Sequence, residues 1–534
     1  MTLHRMTFPA ELAARYLDEG LWQDETLDTL LARAVDSRPD APAIAHPGGD
    51  ISYAALSDQV SNVAAGLVDL GLGHGDVITT QLPNIVEFLI SHLAIARIGA
   101  VHQTIHMPYG PKDIEFHLAH SKSNAIITLA ALKDIDLAGI MTGLQDKLPD
   151  LAHVIIVGDA PDGTVPFSAL GSTGKPPVTE GPSKPADPCM LLYTSGTTSN
   201  PKGVPLTFQN LLCNSTDAAN EFGFTKDDRI LSAAPFSHLY GIFNFHAALI
   251  KGATAVLLPI FTPPDLAARV AETKPTVMFL APAHAAAIIG MGLMEAHDFS
   301  SVRFTVFSGA ACPVELLKRY HSFIPESQIA QLWGMTEIVA GCFSRPSDSI
   351  ETAATTAGPP ARGNEVRVLS PESTPLPAGE EGDLQVRGPS VFSGYLDNAD
   401  ANDAAFAEDR WFRTGDLAVM TEAGYVRLTG RSKDLINRGG IKYNPADVEA
   451  LLLQHDNIDQ VAIVPMPDEV LGERACCFIV PTAAGVPTLE NICQFLDDHK
   501  VSKYKWPERL ETVDEMPLTP TRKIIKGELV KMLG

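Results

Sequence analysis

Short apolar runs alternate with helical stretches through the first three hundred residues. The runs at 76–81, 125–129, 153–157, 191–194, 255–259, 276–280 and 302–308 are dominated by apolar and β-branched residues. Runs so short and so continuously apolar suit strands buried on both faces, and their alternation with helices predicts parallel sheets covered by helices. From about 341 to 429 the pattern changes to short strands at 365–369, 382–387 and 425–429, separated by frequent Gly and Pro. That stretch predicts a small antiparallel barrel or sheet. After Arg431 the pattern shifts again. Asn437-Arg-Gly-Gly-Ile-Lys442 reads as a glycine turn between polar strands, and Asn444-Pro445 as an N-cap and first helical position of a helix through Gln454. Strands at 461–464 and 475–480 complete a compact α+β unit.

The expected fold class is therefore α/β plus α+β. A large N-terminal domain, 1–430, would hold two helix-covered sheets and a small β-barrel within about 341–430, and a small C-terminal α+β domain would span 431–534. The most apolar stretch, 277–294, is broken by Pro282, His284 and glycines, so it resolves as a strand at 277–280 and a buried helix rather than a membrane span. Pro and Gly enrichment at 161–188 marks a connection leading into the strand at Met190.

The segment that begins at that strand carries the most chemistry. Met190-Leu-Leu-Tyr193 is an apolar strand, and Thr194-Ser195-Gly196-Thr197-Thr198 is a run of hydroxyl and glycine residues, with Lys202 close behind. Exposed N–H groups, hydroxyl donors and a mobile cation suit a polyphosphate. We read the whole as strand, loop and helix. No Gly-Lys-Ser/Thr tripeptide opens the helix, so a Walker-type ATPase or GTPase fits poorly. Taken alone, the cluster would also pass as a polar surface loop.

Composition narrows the partners. The chain has 534 residues, 45% of them hydrophobic, enough for more than one core. The net charge of −24 opposes nucleic acid or an anionic membrane surface. A small anionic ligand would need a local basic site, and Lys202, Arg431, Lys433, Lys442 and Lys523 are candidates. Seven cysteines show neither metal-ligand spacing nor a disulfide framework, as in a reducing compartment. No secretory signal is apparent at the N-terminus, so cytoplasm is expected.

The loop resembles the signature of the adenylate-forming superfamily, which includes acyl-CoA synthetases, peptide-synthetase adenylation domains and beetle luciferases. Further motifs come in the family's order: Trp333-Gly-Met-Thr-Glu337, Arg413-Thr-Gly-Asp416-Leu, Gly430-Arg-Ser-Lys433-Asp, and Pro517-Leu-Thr-Pro-Thr-Arg-Lys523-Ile. The resemblance spans nearly the whole chain. It implies ATP, Mg²⁺ and coenzyme A as cofactors, and a C-terminal domain that turns about a hinge near Arg431 to Lys433 between two half-reactions.

By that resemblance, Thr194, Ser195, Gly196, Thr197, Thr198 and Lys202 hold phosphates, Thr336 contacts the α-phosphate and Glu337 binds Mg²⁺. Trp333 and Gly334 stand beside adenine, and Gly309, Ala310 and Ala311 form the wall behind it. Asp416 accepts both ribose hydroxyls with help from Arg431. Lys433, Gly439, Gly440 and Lys442 belong to the mobile nucleotide- and CoA-binding side, and Lys523 bridges the substrate carboxylate and the α-phosphate. Without the family, Glu337 would read as a solvated strand-end residue and Asp416 as a turn residue. Two positions depart from the family pattern: Arg522 replaces the glycine before the lysine, and Ser199 replaces a common loop glycine.

Pro235-Phe-Ser-His238-Leu-Tyr240-Gly resembles the family segment whose histidine or aromatic residue separates the acid pocket from the pantetheine tunnel, which assigns His238 as that gate. A lone histidine is more often structural. The acid pocket would comprise Tyr240, Phe243, Asn244, Gly309, Gly334, Met335 and Val339, mainly apolar and without a Lys or Arg. The Tyr16–Glu25 phrase resembles aryl-acid-activating and alicyclic-acid ligases. Dihydroxybenzoate enzymes carry Asn after the gate histidine, whereas this chain has Leu239. The expected function is thus an acid:CoA ligase for a hydrophobic aryl, alicyclic or medium-chain acid. The alternatives are an enzyme that loads a carrier-protein phosphopantetheine and a non-catalytic nucleotide-binding relic. The expected partners are small molecules, with a homodimer left open.

Overall fold

The computed structural model describes residues 8–172, 178, 181–194, 201–310, 312–438, 441–468, 470–519 and 523–533. The chain divides into two compact units. The first comprises residues 1–354, 360–365 and 387–404, and the second 355–359, 366–386 and 405–534.

The first unit is built on two mostly parallel sheets. In one, the strand order is Lys202–Thr207, Pro188–Thr194, Val101–Thr104, Val77–Gln81, Ala125–Leu129, His153–Val157 and Val165–Pro166. In the other it is Cys342–Phe343, Gln328–Trp333, Phe304–Phe307, Val277–Leu280, Arg229–Ser232, Thr254–Val256, Pro42–His46 and Gly49–Ser52. The interior strands pair in parallel, and Val77–Gln81, Val101–Thr104, Val277–Leu280 and Phe304–Phe307 are buried along their whole length, their polar residues Thr79, Thr80, Gln81, His102, Gln103 and Thr305 included. The 277–294 stretch resolves into strand Val277–Leu280 and helix Pro282–Gly290. No helix among the described residues is long and apolar enough to cross a membrane.

The strand–loop–helix expectation needs one correction. The residues after the hydroxyl-rich run do not enter a helix directly but return as strand Lys202–Thr207, antiparallel to Pro188–Thr194. Val204 and Leu206 are fully buried, which holds the return strand on the sheet, and Thr207 then caps helix Phe208–Glu221 by accepting from Asn210 N.

Between helix Val86–Arg97, strand Val101–Thr104 and helix Leu239–Lys251 lies a buried chain of imidazoles. His102 Nε2 is 2.8 Å from Thr80 Oγ1, His102 Nδ1 is 2.8 Å from His92 Nδ1, and His92 Nε2 is 2.9 Å from His246 Nε2. Burial lowers all three pKa values, to about 3 for His102 and His246.

The second unit carries two sheets. Strands Glu365–Leu369, Glu381–Arg387, Phe412–Met420 and Val426–Arg431 form a four-stranded sheet in that order. It is open, so of barrel and sheet it is the sheet that forms: the described outer strands pair only inward. The other sheet orders Ile441–Tyr443, Ile436–Arg438, Gly472–Pro481 and Ile458–Asp468, with Arg509–Thr512 parallel to Gly472–Pro481. Its long hairpin sorts side chains with period 2. Val461, Ile463, Ala475, Cys477 and Ile479 pack with Val448, Leu452, Ile492 and Leu496, while Ala462, Val464, Cys476 and Phe478 pack with Met516 and Leu529. The helix after Pro445 is shorter than expected, Ala446–Leu452, and Asn444 Oδ1 accepts from Ala446 N at its start.

Candidate functional site

In the first unit the site is organised by two tight returns. The first is the hairpin, in which Thr194 faces Lys202 and Tyr193 faces Gly203. Ser195, Gly196, Thr197 and Thr198, with Ser199, lie outside the described residues. Thr194 Oγ1 is buried and, among the described residues, has no hydrogen-bond partner. A buried hydroxyl in that state suits an incoming oxyanion. Tyr193 is anchored behind it, its hydroxyl 2.8 Å from His120 Nδ1 and its ring edge-on to His117 at 4.4 Å.

The second return joins strands Gln328–Trp333 and Cys342–Phe343, which pair antiparallel. Two of its glycines are required by space: a Cβ on Gly334 would sit 2.0 Å from Val339 O, and one on Gly341 would sit 2.4 Å from Trp333 Cζ3. Val339 itself has φ +59°, a left-handed conformation that is costly for a β-branched residue. Asn214 clamps the turn, donating to Ala340 O and accepting from Ala340 N, both at 2.9 Å. The winding buries Glu337 to 5% exposure, with Thr336 half-buried beside it.

Glu337 and Lys202 meet opposite ends of one side chain that the sequence did not single out. Tyr395 OH donates to Glu337 Oε1 at 2.9 Å, and Lys202 Nζ lies 4.2 Å from the centre of the Tyr395 ring. A cation, an anion and a buried hydroxyl are thereby grouped where the two returns converge. Among the described residues no cluster of three or more His, Cys, Asp or Glu side chains is placed to hold a metal. A single carboxylate fits Mg²⁺, which keeps its waters and takes substrate phosphate oxygens rather than an all-protein cage.

His238 caps helix Leu239–Lys251, its Nδ1 accepting from Tyr240 N at 3.1 Å, so the neutral ring carries its proton on Nε2. Its ring stacks over His106 at 6.4 Å, and His106 Nδ1 lies 2.8 Å from Ser237 Oγ. Burial pushes His106 down to about 4. Tyr240 OH donates to Val306 O at 2.8 Å, and Asn244 Nδ2 donates to Gly241 O. The Tyr240 hydroxyl and the Asn244 amide nitrogen are thus engaged by main chain. Phe243 and Val339 are buried and Met335 is half-buried. Gly309, at φ +92°, and exposed Ala310 come after strand Phe304–Phe307, while Ala311 lies outside the described residues.

In the second unit, Asp416 and Arg431 stand opposite each other on neighbouring strands, with Arg431 Nε 2.8 Å from Asp416 Oδ1. Gly415 at φ +72° makes the bend before the aspartate, and Thr414 Oγ1 accepts from Asp416 N while donating to Leu384 O. Lys433 is close by in sequence, its pKa lowered by desolvation and by the Arg431 cation. Gly439 and Gly440 lie outside the described residues, as does the side chain of Lys442, whose backbone pairs with Asn437. Lys523 is exposed at a narrow return: its N–H donates to Thr519 Oγ1, and its carbonyl accepts from Thr519 N at 2.8 Å. Arg522 lies outside the described residues.

Comparison with known proteins identifies the family. The family model for AMP-binding enzymes matches residues 31–396, and that for the AMP-binding enzyme C-terminal domain matches 447–523. The medium-chain fatty-acid–CoA ligase of Escherichia coli (strain K12) is 30% identical over 98% of this chain and 94% of its own length. The salicyl-AMP ligase / salicyl-S-ArCP synthetase of Mycobacterium tuberculosis is 32% identical over 99% of this chain and 94% of its own. Among solved structures, the anthranilate CoA ligase AuaEII in complex with anthranoyl-AMP superposes with a TM-score of 0.87 at 25% identity, covering 96% of this chain and 98% of that one. The protein is an enzyme of the AMP-binding, adenylate-forming family.

Proposed function

We propose that the enzyme is an ATP-dependent acid:CoA ligase for a hydrophobic aryl, alicyclic or medium-chain carboxylic acid. The carboxylate oxygen attacks the α-phosphorus of ATP and pyrophosphate leaves. The CoA thiol then attacks the acyl carbon of the adenylate, a thioester forms and AMP departs. No protein nucleophile is needed, because the adenylate is itself the activated species.

The observation that carries this reading is the grouping of Lys202, Glu337 and the buried Thr194 hydroxyl, which has no hydrogen-bond partner among the described residues: a cation and a donor for phosphate oxygens, and an anion for the metal that accompanies them. Bound through Glu337, Mg²⁺ would supply charge neutralisation to the phosphates. In this reading Thr336 donates to the α-phosphate, Trp333, Gly334, Gly309, Ala310 and Ala311 surround adenine, and Asp416 with Arg431 takes the ribose. Lys523 neutralises charge as one anion attacks another. Lys433, Gly439, Gly440 and Lys442 serve the mobile C-terminal side.

His238 separates the acid from the pantetheine arm. Tyr240, Phe243, Asn244, Met335 and Val339 line the acid pocket, and the main-chain engagement of the Tyr240 hydroxyl and the Asn244 amide nitrogen supports a mainly apolar surface there. The seven cysteines are all free thiols, which suits the reducing cytoplasm.

A second reading, transfer of the acyl group to a carrier-protein phosphopantetheine, is favoured by the similarity to the salicyl-AMP ligase. One screen separates the readings: acid-dependent pyrophosphate release over benzoate-like, alicyclic, medium-chain, short-chain and dicarboxylic acids, and then AMP turnover with free CoA or a holo carrier protein. We expect aryl, alicyclic or medium-chain acids to exceed acetate and oxalate, with turnover on free CoA. A second carboxylate buried without a cation would cost several kcal/mol, on the order of 3–5. Preference for a dicarboxylate would refute the pocket, turnover on the carrier alone would select the second reading, and absence of pyrophosphate release would leave a binding relic.

A further inference from the structure

Tyr395 lies in a segment of the first unit that is pinned to the two returns at several points. Leu396 N donates to Gly203 O at 2.9 Å, on the strand that begins with Lys202, and Phe392 N donates to Glu337 O at 2.8 Å. Upstream, Trp22 Nε1 and Asn210 Nδ2 both donate to Pro389 O, at 3.0 and 2.9 Å. Asn402 closes the far side, accepting from Tyr395 N at 2.6 Å and donating to Tyr395 O at 3.1 Å. The Phe392 ring packs edge-on against Tyr395 at 4.8 Å, and Tyr395 is only 4% exposed.

So held, the side chain does two things at once. Its ring face takes the Lys202 ammonium at 4.2 Å, and its hydroxyl donates to Glu337 Oε1 at 2.9 Å. A phenol is protonated near neutral pH and an ionised carboxylate only accepts, so the hydroxyl is the donor in this contact. Opposite charges this close to one another attract, and in a half-buried setting a direct lysine–carboxylate pair is the obvious competing arrangement. Such a pair would withdraw the cation from phosphate and an acceptor oxygen from the metal. Tyr395 satisfies each charge separately, by a ring quadrupole on one side and a hydroxyl donor on the other, and keeps the two apart.

We propose that Tyr395 is a positioning residue for the nucleotide site: it orients the Glu337 carboxylate toward the metal that accompanies ATP and parks the Lys202 ammonium so that the two do not pair. This rests on the adenylate-forming reading of the site. Tyr395→Phe separates the two roles, because it keeps the ring under Lys202 and removes only the hydroxyl. The readout is equilibrium binding of a non-hydrolysable ATP analogue to the full-length protein by calorimetry, with Mg²⁺ and with excess EDTA.

We expect Tyr395→Phe to weaken binding roughly tenfold in Mg²⁺ and to leave binding in EDTA unchanged, the scale of one charge-assisted hydrogen bond. Tyr395→Leu, which also removes the ring, should weaken binding under both conditions. In a Glu337→Gln background the effect of Tyr395→Phe should vanish, since the hydroxyl acts only through that carboxylate. A merely structural hydroxyl would instead weaken binding equally in Mg²⁺ and EDTA, or persist in the Glu337→Gln background, and either result overturns the proposal. Metal-dependent binding by the native protein with an unaltered Tyr395→Phe variant overturns this inference alone, whereas no metal dependence in the native protein overturns the nucleotide reading and this inference together.

Discussion

Acid should weaken the first unit through three side chains that play no part in the proposed chemistry. His92, His102 and His246 are fully buried in contact with one another, and burial is the first cause of the lowered pKa in each. The unfolded chain protonates each near pH 6.5, while the folded protein resists protonation down to about pH 3 at His102 and His246. A folded pKa below the unfolded value means that the stabilisation is complete above about pH 6.5 and is lost as pH falls toward 3. Each imidazole kept neutral forfeits about 1.4 kcal/mol per pH unit in that window, so at pH 5 the loss is about 2 kcal/mol each for His102 and His246 and about 4 kcal/mol for the two, with His92 acting in the same direction. That is a large fraction of the whole stability of many domains.

His246→Phe tests the assignment. Among the described residues His246 Nδ1 is buried without a hydrogen-bond partner, so the substitution removes one imidazole at the end of the chain and one hydrogen bond to His92. At pH 7.5 it should cost about 1–3 kcal/mol. Urea unfolding monitored by circular dichroism between pH 7.5 and 5 should then show a pH slope shallower than that of the native protein by about 1.4 kcal/mol per pH unit below 6.5, so that the two stabilities converge on acidification. Parallel curves across that range would refute the account, because the other titrating groups are common to both proteins.

Asp416→Ala should raise the Michaelis constant for ATP far more than that for the acid, since two charge-assisted hydrogen bonds to ribose amount to roughly 2–5 kcal/mol. An unchanged constant in steady-state kinetics would reduce Asp416 to a partner of Arg431. Lys523→Ala should slow acyl-adenylate formation on the order of 10²-fold or more, yet still convert a synthetic acyl-adenylate and CoA to thioester. Equal slowing of both steps in quenched-flow assays would remove the support for a lysine presented only in the first half-reaction.

How much could be read in the sequence depends on which interactions are local. Of the inner strands, Val77–Gln81, Ala125–Leu129, His153–Val157, Val277–Leu280 and Phe304–Phe307 fall on runs legible in the sequence, whereas Pro42–His46, Val101–Thr104, Arg229–Ser232 and Gln328–Trp333 were missed, being short or, as at His102 and Gln103, interrupted by polar residues that are nonetheless buried. The return strand Lys202–Thr207 was missed as well, because Gly203 and Pro205 are poor strand formers; it forms on the sheet edge, where Pro205 needs no donor on its outer side. Helix Ala446–Leu452 was placed by Asn444 and Pro445, but its end carries no glycine stop, and the expected length overran it. The family resemblance pointed to Glu337 and Asp416 but not to Tyr395, whose contact with Glu337 spans 58 residues and has no period. The histidine chain escaped for the same reason: His92 and His246 are 154 residues apart, and each alone reads as an ordinary core residue.

The hairpin of strands Pro188–Thr194 and Lys202–Thr207 also limits how the chain can vary. Lys202 is at once the first rung of an antiparallel ladder and the cation over Tyr395. Successive strand residues point to opposite faces, so a slip of one position would turn Lys202 away from Tyr395 and move the buried Val204 and Leu206 toward the other side of the sheet. Loop length and lysine aim are therefore one variable. Residue types between Thr194 and Lys202 can change independently, but an insertion or deletion there is tolerated only if the ladder from Tyr193–Gly203 to Leu191–Pro205 keeps its phase.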